Sequence, residues 1–320
     1  MLGWFGMVKD CRKILVTGGA GFVGSHLIPH LLGKDFSVTV LDNLSTGKIE
    51  NLKGVIDHPR FKFYEADITD ESCSKVFEGI SSIIHLAALI DVSASVTDPT
   101  HNNKVNVDGT FNMLHTAARH HIEKFVFASS TAVYGEAKNL PIQENSVTQP
   151  ISPYAASKVA GEAYCNAFSH CYGIETIALR FFNIYGLRSE SSPYSGVITK
   201  FLQKIVNGET VTIDGDGEQT RDFIHIDDVV RAILLALEPK ELNHEVFNVC
   251  TGIPTSINQL VTTLKQVTGK KFSFKYGPAR LGDIRINVGD PTKATKELLF
   301  RANVDLAKGL QALYEESAPK

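Results

Sequence analysis

Tyr154 and Lys158, in the stretch ISPYAASKVA (residues 151–160), could run a proton transfer. Residues four apart lie on one face of a helix, so both side chains can reach the same reacting group. A free phenol has a pKa of about 10, and a tyrosine base working near neutrality needs a drop on the order of 3 units. A neighbouring ammonium favours the phenolate. Alone, the Tyr-x-x-x-Lys spacing is common in soluble helices. It gains meaning only if the rest of the chain brings a reactant beside it.

The amino-terminal part supplies one. KILVT (13–17) is a short apolar run that ends in glycines, and GGAGFVGSHLIPHLL follows. Gly18, Gly21 and Gly24 give G-x-x-G-x-x-G, and Phe22, Val23, Leu27, Leu31 and Leu32 then recur at helical spacing. FSVTVLDN reads as a second strand ending at Asp42. A strand, a glycine turn, a helix, a strand and an acid make a dinucleotide-binding unit. Glycines let the backbone approach a pyrophosphate, and the helix amino end offers it N–H groups. Asp42 stands where a carboxylate takes the ribose hydroxyls and repels a 2′-phosphate, which favours NAD over NADP.

The alternation continues through strands predicted at 60–67, 81–88, 122–130 and 174–182, with helices at 102–120 and 153–172. This pattern predicts an α/β fold with a doubly wound parallel sheet. Ligands then bind beyond the carboxyl ends of the strands. Asp67-Ile68, Leu86-Ala87-Ala88, Ser129-Ser130 and Asn183 all fall at such ends. Beyond residue 183 the pattern is less regular: a loop and amphipathic helix over 192–208, a glycine-rich turn at 215–217, and a helix from His225. We expect a Rossmann domain over 1–182, with 222–250 returning to it, and a smaller, mainly substrate-binding α/β domain over 183–320.

The motifs TGGAGFVGSHL, HLAA, NVDGT, SSTAVYGE, YAASK, LRFFNIYG, GDGEQTRDFIHIDDV and ARLGDIR occur in this order. On them the chain resembles the extended short-chain dehydrogenase/reductases, most of all nucleotide-sugar epimerases of the UDP-glucose 4-epimerase type. The resemblance spans residues 13 to about 300 and implies NAD as cofactor. It implies that Asp67 and Ile68 contact adenine, that Leu86, Ala87 and Ala88 line the pyrophosphate and ribose, and that Asn106 supports the site. Gly18, Gly21, Phe22, Val23, Asp42, Asn43 and Phe181 complete the cofactor set. Tyr154 and Lys158 are implied as the catalytic pair, with Ser130 hydrogen-bonded to the reacting sugar hydroxyl. Asn183, Val197, Arg221, Arg280, Asp283 and Asn287 are implied to hold the nucleotide diphosphate, its ribose and the sugar. Two arginines suit a diphosphate because guanidinium binds phosphate oxygens in a bidentate way. The implied reaction removes the 4-hydroxyl proton with Tyr154, passes hydride from C4 to NAD, and returns it to the other face of the 4-keto sugar.

Relatives that dehydrate or decarboxylate the 4-keto sugar carry acids just before the VYG; here those places hold Thr131 and Ala132. That favours simple 4-epimerisation over 4,6-dehydration. A non-catalytic NAD-binding protein on this fold would be expected to lack the tyrosine or the lysine. Asp214 stands where many relatives place an aromatic near the base, which weakens the inference of uracil. Asn287 replaces the tyrosine of strict glucose/galactose forms, so an N-acetyl group fits as well. Glucose/galactose and the N-acetyl pair stand as close competitors, with uronates behind.

The 320 residues are 43% hydrophobic and 21% charged, with a net charge of −3. This is the mix of a soluble enzyme, and it gives no footprint for nucleic acid. Cys11, Cys73, Cys165, Cys171 and Cys250 are scattered and odd in number, which fits a reducing cytoplasm rather than a disulfide framework. The 11 histidines form no metal-binding spacing. No apolar run reaches the roughly 18 residues that span a bilayer. The opening MLGWFGMVKDCRK reads as an alternative start or a flexible arm. Phe111, Leu114, Val159, Ala160, Tyr164 and Phe168 put apolar groups on more than one face of the helices over 102–120 and 153–172. Relatives dimerise through a four-helix bundle of this pair, so a homodimer is expected.

Overall fold

The computed structural model describes residues 12–188, 196–238, 242–279 and 284–317. The chain runs β1 (Lys13–Thr17), α1 (Phe22–Gly33), β2 (Ser37–Asp42), β3 (Phe61–Glu65), β4 (Ser82–His85), α2 (Val92–Thr97), α3 (Pro99–Asn103), α4 (Gly109–Arg119) and β5 (Lys124–Ser130). It continues through α5 (Pro153–Tyr172), β6 (Glu175–Phe181), β7 (Asn183–Tyr185), α6 (Val197–Val206), β8 (Val211–Asp214), β9 (Thr220–His225), α7 (Ile226–Ala236) and β10 (His244–Val249). The last elements are β11 (Pro254–Ser256), α8 (Ile257–Thr268), β12 (Phe274–Gly277), β13 (Ile286–Asn287) and α9 (Leu306–Ser317).

Seven strands form a wholly parallel sheet in the order β10-β6-β5-β4-β1-β2-β3. In β1 the consecutive residues Ile14, Leu15 and Val16 are all apolar and buried, because helices cover both faces of such a sheet. One face packs Leu27, Ile28 and Leu31 of α1 with Val229, Ile233 and Ala236 of α7. The other packs Met113, Leu114 and Ala117 of α4 with Cys165 and Phe168 of α5. Pro29 sits inside α1 and has no N–H for the carbonyl four residues back. That carbonyl, Ser25 O, accepts instead from Arg188 Nη1 at 3.1 Å, which ties the segment after β7 to the glycine-turn helix.

A smaller unit is built on β9, which pairs with β7, β11 and β13. A separate core of α6, α8 and α9 residues, including Ile198, Leu202, Leu260, Leu264 and Leu310, packs around β8 and β9. The fully buried Asp222 joins this unit to the large sheet. Its carboxylate accepts from Thr251 N (2.8 Å), Thr251 Oγ1 (2.6 Å), Gly252 N (2.9 Å) and Gly289 N (3.3 Å). Four donors offset the cost of burying it.

The helix predicted over 102–120 is longer and interrupted. It starts at Pro99, capped by Asp98, and passes through a π-helical turn at Lys104–Asp108 before α4. No helix among the described residues is long and apolar enough to cross a membrane.

Candidate active site

Because the sheet is parallel, the carboxyl ends of its strands share one edge. Strand order reverses between β1 and β4, which opens a crevice there. A cleft of about 1200 Å³ follows this edge from the glycine turn to the smaller unit.

At one end, Gly18 has φ +68°, and a Cβ there would lie 2.7 Å from Ala87 N. Only glycine lets the turn press this closely on the end of β4. Gly21 is different. Its backbone is extended, at φ −78° and ψ −176°, and a Cβ would meet only Gly18 O, at 3.2 Å. Its bare side therefore faces the cleft. α1 begins with no side-chain cap, so its amino end can serve an anion. Phe22 and Val23 line the cleft beside it, and Gly24 is buried in the helix. A pyrophosphate fits this cradle. Gly21→Val is expected to keep the fold and to weaken NAD binding about 10- to 100-fold, read by titrating cofactor into purified protein.

Asp42 ends β2 and lines the cleft. Its Oδ2 accepts from Ala20 N at 2.9 Å and Oδ1 from Leu44 N at 2.9 Å. Burial pushes the carboxyl up, and these two bonds oppose it. A carboxylate has about four acceptor sites, so each oxygen keeps capacity for a ribose hydroxyl. Asn43 Nδ2 donates to Asp67 Oδ2 at 2.7 Å, and Asp67 Oδ1 accepts from the Thr69 amide and hydroxyl. Burial raises the Asp67 carboxyl, but these bonds and Lys104 outweigh it and hold it below the usual range. Ile68, Leu86, Ala87, Ala88 and Phe181 line the same stretch.

Asn106 does not line the cleft. It lies buried behind it, holding Leu89 N and Leu89 O at 2.8 and 2.9 Å and Ser157 Oγ at 3.0 Å. Its π-helical turn points the amide at the backbone after β4, which makes it a brace rather than a cofactor contact.

In the middle of the cleft stand Ser130, Tyr154 and Lys158. Ser152 caps α5 and Pro153 occupies its first turn, which sets where the helix starts. Tyr154 N donates to Ser95 Oγ at 3.1 Å. Ser130 ends β5, and its Oγ accepts from Ala132 N at 3.1 Å. Lys158 Nζ donates to Ala128 O at 2.8 Å and lies 5.9 Å from the Tyr154 ring centroid. Burial raises the Tyr154 phenol above its ordinary value, and a hydrogen bond from Ser130 opposes this. Burial brings Lys158 down to about 8, with the Glu162 charge acting against it. The chain's own groups thus hold the phenol protonated, the reverse of what a tyrosine base needs. Desolvation is the larger cause, and a base role for this phenol would need positive charge brought in with a ligand.

At the far end, register does the positioning. In the β9 ladders Asn183 of β7 stands across from Phe223, and Asn287 of β13 across from Arg221. Asn183, Arg221 and Asn287 thus converge from distant parts of the sequence, and all three line the cleft with Val197 at the start of α6. Arg221 Nη1 donates to Thr220 O and Ile284 O, both at 2.7 Å. Asn287 Nδ2 donates to Thr131 Oγ1 at 3.0 Å, and Asn183 Nδ2 to Asn287 Oδ1 at 3.4 Å. Arg280 and Asp283 lie outside the described residues. Asp214 is exposed at the end of β8.

Residues 14–250 match the model of the NAD dependent epimerase/dehydratase family. The chain belongs to this family. It is similar to a UDP-glucose 4-epimerase of Mycolicibacterium smegmatis, 38% identical over 95% of this chain and 97% of that one. Among solved structures it is similar to a UDP-N-acetylglucosamine 4-epimerase from Methanobrevibacter ruminantium in complex with UDP-N-acetylmuramic acid. There the TM-score is 0.91 with 37% identity, covering 95% of this chain and 97% of that one. It is also similar to a UDP-glucose 4-epimerase from Thermotoga maritima with UDP-glucose, at TM-score 0.87 and 40% identity, covering 95% and 98%.

The sequence reading missed several cleft residues. Ser45, Thr46 and Gly47 follow β2, and Ser95 and Asn102 come from α2 and α3. The LSTG run after Asp42 is a visible polar turn and was the one signal available. Behind the cleft, His85 was also missed. Its Nδ1 meets Thr17 Oγ1 at 2.8 Å and its Nε2 meets Thr110 Oγ1 at 3.0 Å.

Proposed function

We propose that the protein is an NAD-dependent 4-epimerase of a nucleotide-diphosphate sugar, either UDP-glucose/UDP-galactose or UDP-GlcNAc/UDP-GalNAc. The supporting observation is one continuous cleft with the glycine turn and Asp42 at one end, Ser130, Tyr154 and Lys158 at its centre, and Asn183, Arg221 and Asn287 at the other. Gly18, Gly21, Phe22, Val23, Asp42, Asn43, Asp67, Ile68, Leu86, Ala87, Ala88 and Phe181 would hold NAD. Bound NAD accepts hydride from the sugar C4 and returns it. Tyr154 takes the 4-hydroxyl proton and later gives it back, and Ser130 donates to the same oxygen. The Lys158 ammonium favours the phenolate in this step and binds the nicotinamide ribose. Asn183, Val197 and Arg221 hold the diphosphate end while the 4-keto sugar turns over. Arg280 and Asp283 are proposed to join them.

Epimerisation is favoured over 4,6-dehydration because that reaction needs a second acid beside the tyrosine. Thr131 and Ala132 line the cleft at the expected place. Among the described residues, the cleft's carboxylates are Asp42, Asp67, Asp91 and Asp98. Each accepts from neighbouring backbone N–H groups. The small Asn287 side chain, tied to Thr131, leaves room for an N-acetyl group. Incubation with a panel of UDP-, dTDP- and GDP-sugars, with products resolved chromatographically, tests the assignment. C4 epimers are expected, and a 4-keto-6-deoxy product would refute it.

We also propose that 1–182, with 222–250 returning to it, holds the cofactor and that 183–320 mainly holds the substrate, although β9, which includes 222–225, pairs within the smaller unit. The free thiols Cys73, Cys165, Cys171 and Cys250 fit a reducing cytoplasm. A homodimer would form through α4 and α5, where Phe111 is 41% and Tyr164 37% exposed and their rings meet at 5.4 Å. Leu114 and Phe168 of the same helices face the core instead. Phe111→Arg is expected to convert a dimer to a monomer, read by light scattering on a sizing column.

A further inference from the structure

Behind Lys158 lies a buried polar knot that the proposed reaction does not use. Glu162 stands one helical turn past Lys158 on α5. Ser129 Oγ donates to Glu162 Oε1 at 2.5 Å, Arg180 Nε to the same oxygen at 2.8 Å, and Arg180 Nη2 to Oε2 at 2.7 Å. All three residues are buried. The guanidinium lies 4.6 Å from the Tyr134 ring centroid, and its Nη1 donates to Glu144 O at 3.0 Å. A buried ion pair is a poor source of stability, since a well-packed apolar pair commonly does as well. Its position is more telling. It joins the residue before Ser130 on β5, the helix that carries Tyr154 and Lys158, and β6.

We propose that Glu162, clamped by Arg180, is a positioning residue: its carboxylate supplies the negative charge facing Lys158 and, through Ser129, fixes Ser130 against Tyr154. This rests on the epimerase reading of the cleft. The groups around Lys158 can be named. Its own helix contributes Tyr154, Glu162 and Cys165. β5 contributes the Ala128 carbonyl and the Phe127 ring. β4 contributes His85, neutral because burial takes it to about 3, and β6 contributes Arg180 through Glu162. Among these groups Glu162 is the one carboxylate. Burial pulls Lys158 down to about 8, and Glu162 opposes that. Without it, the ammonium is lost at lower pH.

The test is a pH titration of the Lys158 side chain by NMR on the holoenzyme, with carbon-labelled lysine and the resonance assigned from the Lys158→Met spectrum. Glu162→Gln keeps an acceptor for Ser129 but strands the Arg180 charge, so Glu162→Gln with Arg180→Met is run beside it. In whichever folds, the Lys158 midpoint is expected about one pH unit or more lower, with the alkaline limb of kcat moving alongside. An unchanged midpoint overturns the proposal. Ser129→Ala strands no charge and tests the other arm. Its kcat is expected to fall about 3- to 10-fold with KM and bound cofactor unchanged, and a wild-type kcat overturns that arm. Absence of 4-epimerisation by the wild type would refute the reading of the reaction, and the Lys158 titration would still decide the role of Glu162.

Discussion

Tyr154→Phe is expected to lower kcat by about 10²- to 10⁴-fold, the span of a lost general acid–base group, while the protein stays folded and keeps NAD. The ring remains in its buried place. The backbone N–H still reaches Ser95 Oγ, and the α5 cap at Ser152 is untouched. Only the hydroxyl is removed, and with it the group proposed to exchange a proton with the sugar oxygen. In the chain alone, burial holds this phenol above its ordinary value. The proposed base role therefore requires that positively charged nicotinamide beside the phenol favour the phenolate. Steady-state rates and cofactor content measured on the same preparation decide the matter. A wild-type rate excludes Tyr154 as the proton carrier, and loss of NAD from a folded variant makes its hydroxyl a cofactor ligand.

The second large effect concerns His85 and acid. Thr110 Oγ1 donates to Asn106 O at 2.6 Å, so at its contact with His85 Nε2 the ring is the donor. His85 Nδ1 is then the acceptor. Thr17 Oγ1 donates to it while accepting from Ala87 N at 3.2 Å. The arrangement needs a neutral ring, and burial brings His85 down to about 3. An unfolded histidine titrates near 6.5. Below that pH the unfolded chain binds the proton and the folded chain does not, so stability falls as pH falls. Between about pH 6.5 and pH 4.5 this one residue removes about 2 kcal/mol. His85→Gln keeps one donor and one acceptor and cannot take up the proton. Urea unfolding is expected to show it less stable near neutrality but with a flatter dependence on acid. A slope equal to wild type would mean that His85 already titrates normally in the folded state.

His85 also shows what a sequence hides. HLAA reads as the end of a strand, but its histidine works through Thr17 of β1 and Thr110 of α4, and only the fold brings these together. The features that could be read were local. Apolar runs, glycine spacing and helical periodicity mark β1, α1 and β2 in the sequence without reference to any tertiary contact. Parallel strands then bring Asp42, Leu86 and Ser130 to one edge, because each ends its strand or follows directly. Asn106 braces the cleft from behind through a π-helical turn at Lys104–Asp108, which leaves no mark in the apolar spacing. Asn287 meeting Thr131, 156 residues away, depends on the β9 ladders. The Glu162–Arg180 pair joins a helix to a neighbouring strand, and sequence spacing carries no record of that contact.

The most direct test of transient oxidation at C4 uses a UDP-sugar bearing deuterium at that carbon, in ordinary water. The expected product is the C4 epimer with all of its deuterium still on C4, since hydride leaves and returns without meeting solvent. Loss of the label to water, or a product that gains a solvent proton at a ring carbon, would contradict the mechanism proposed for this cleft.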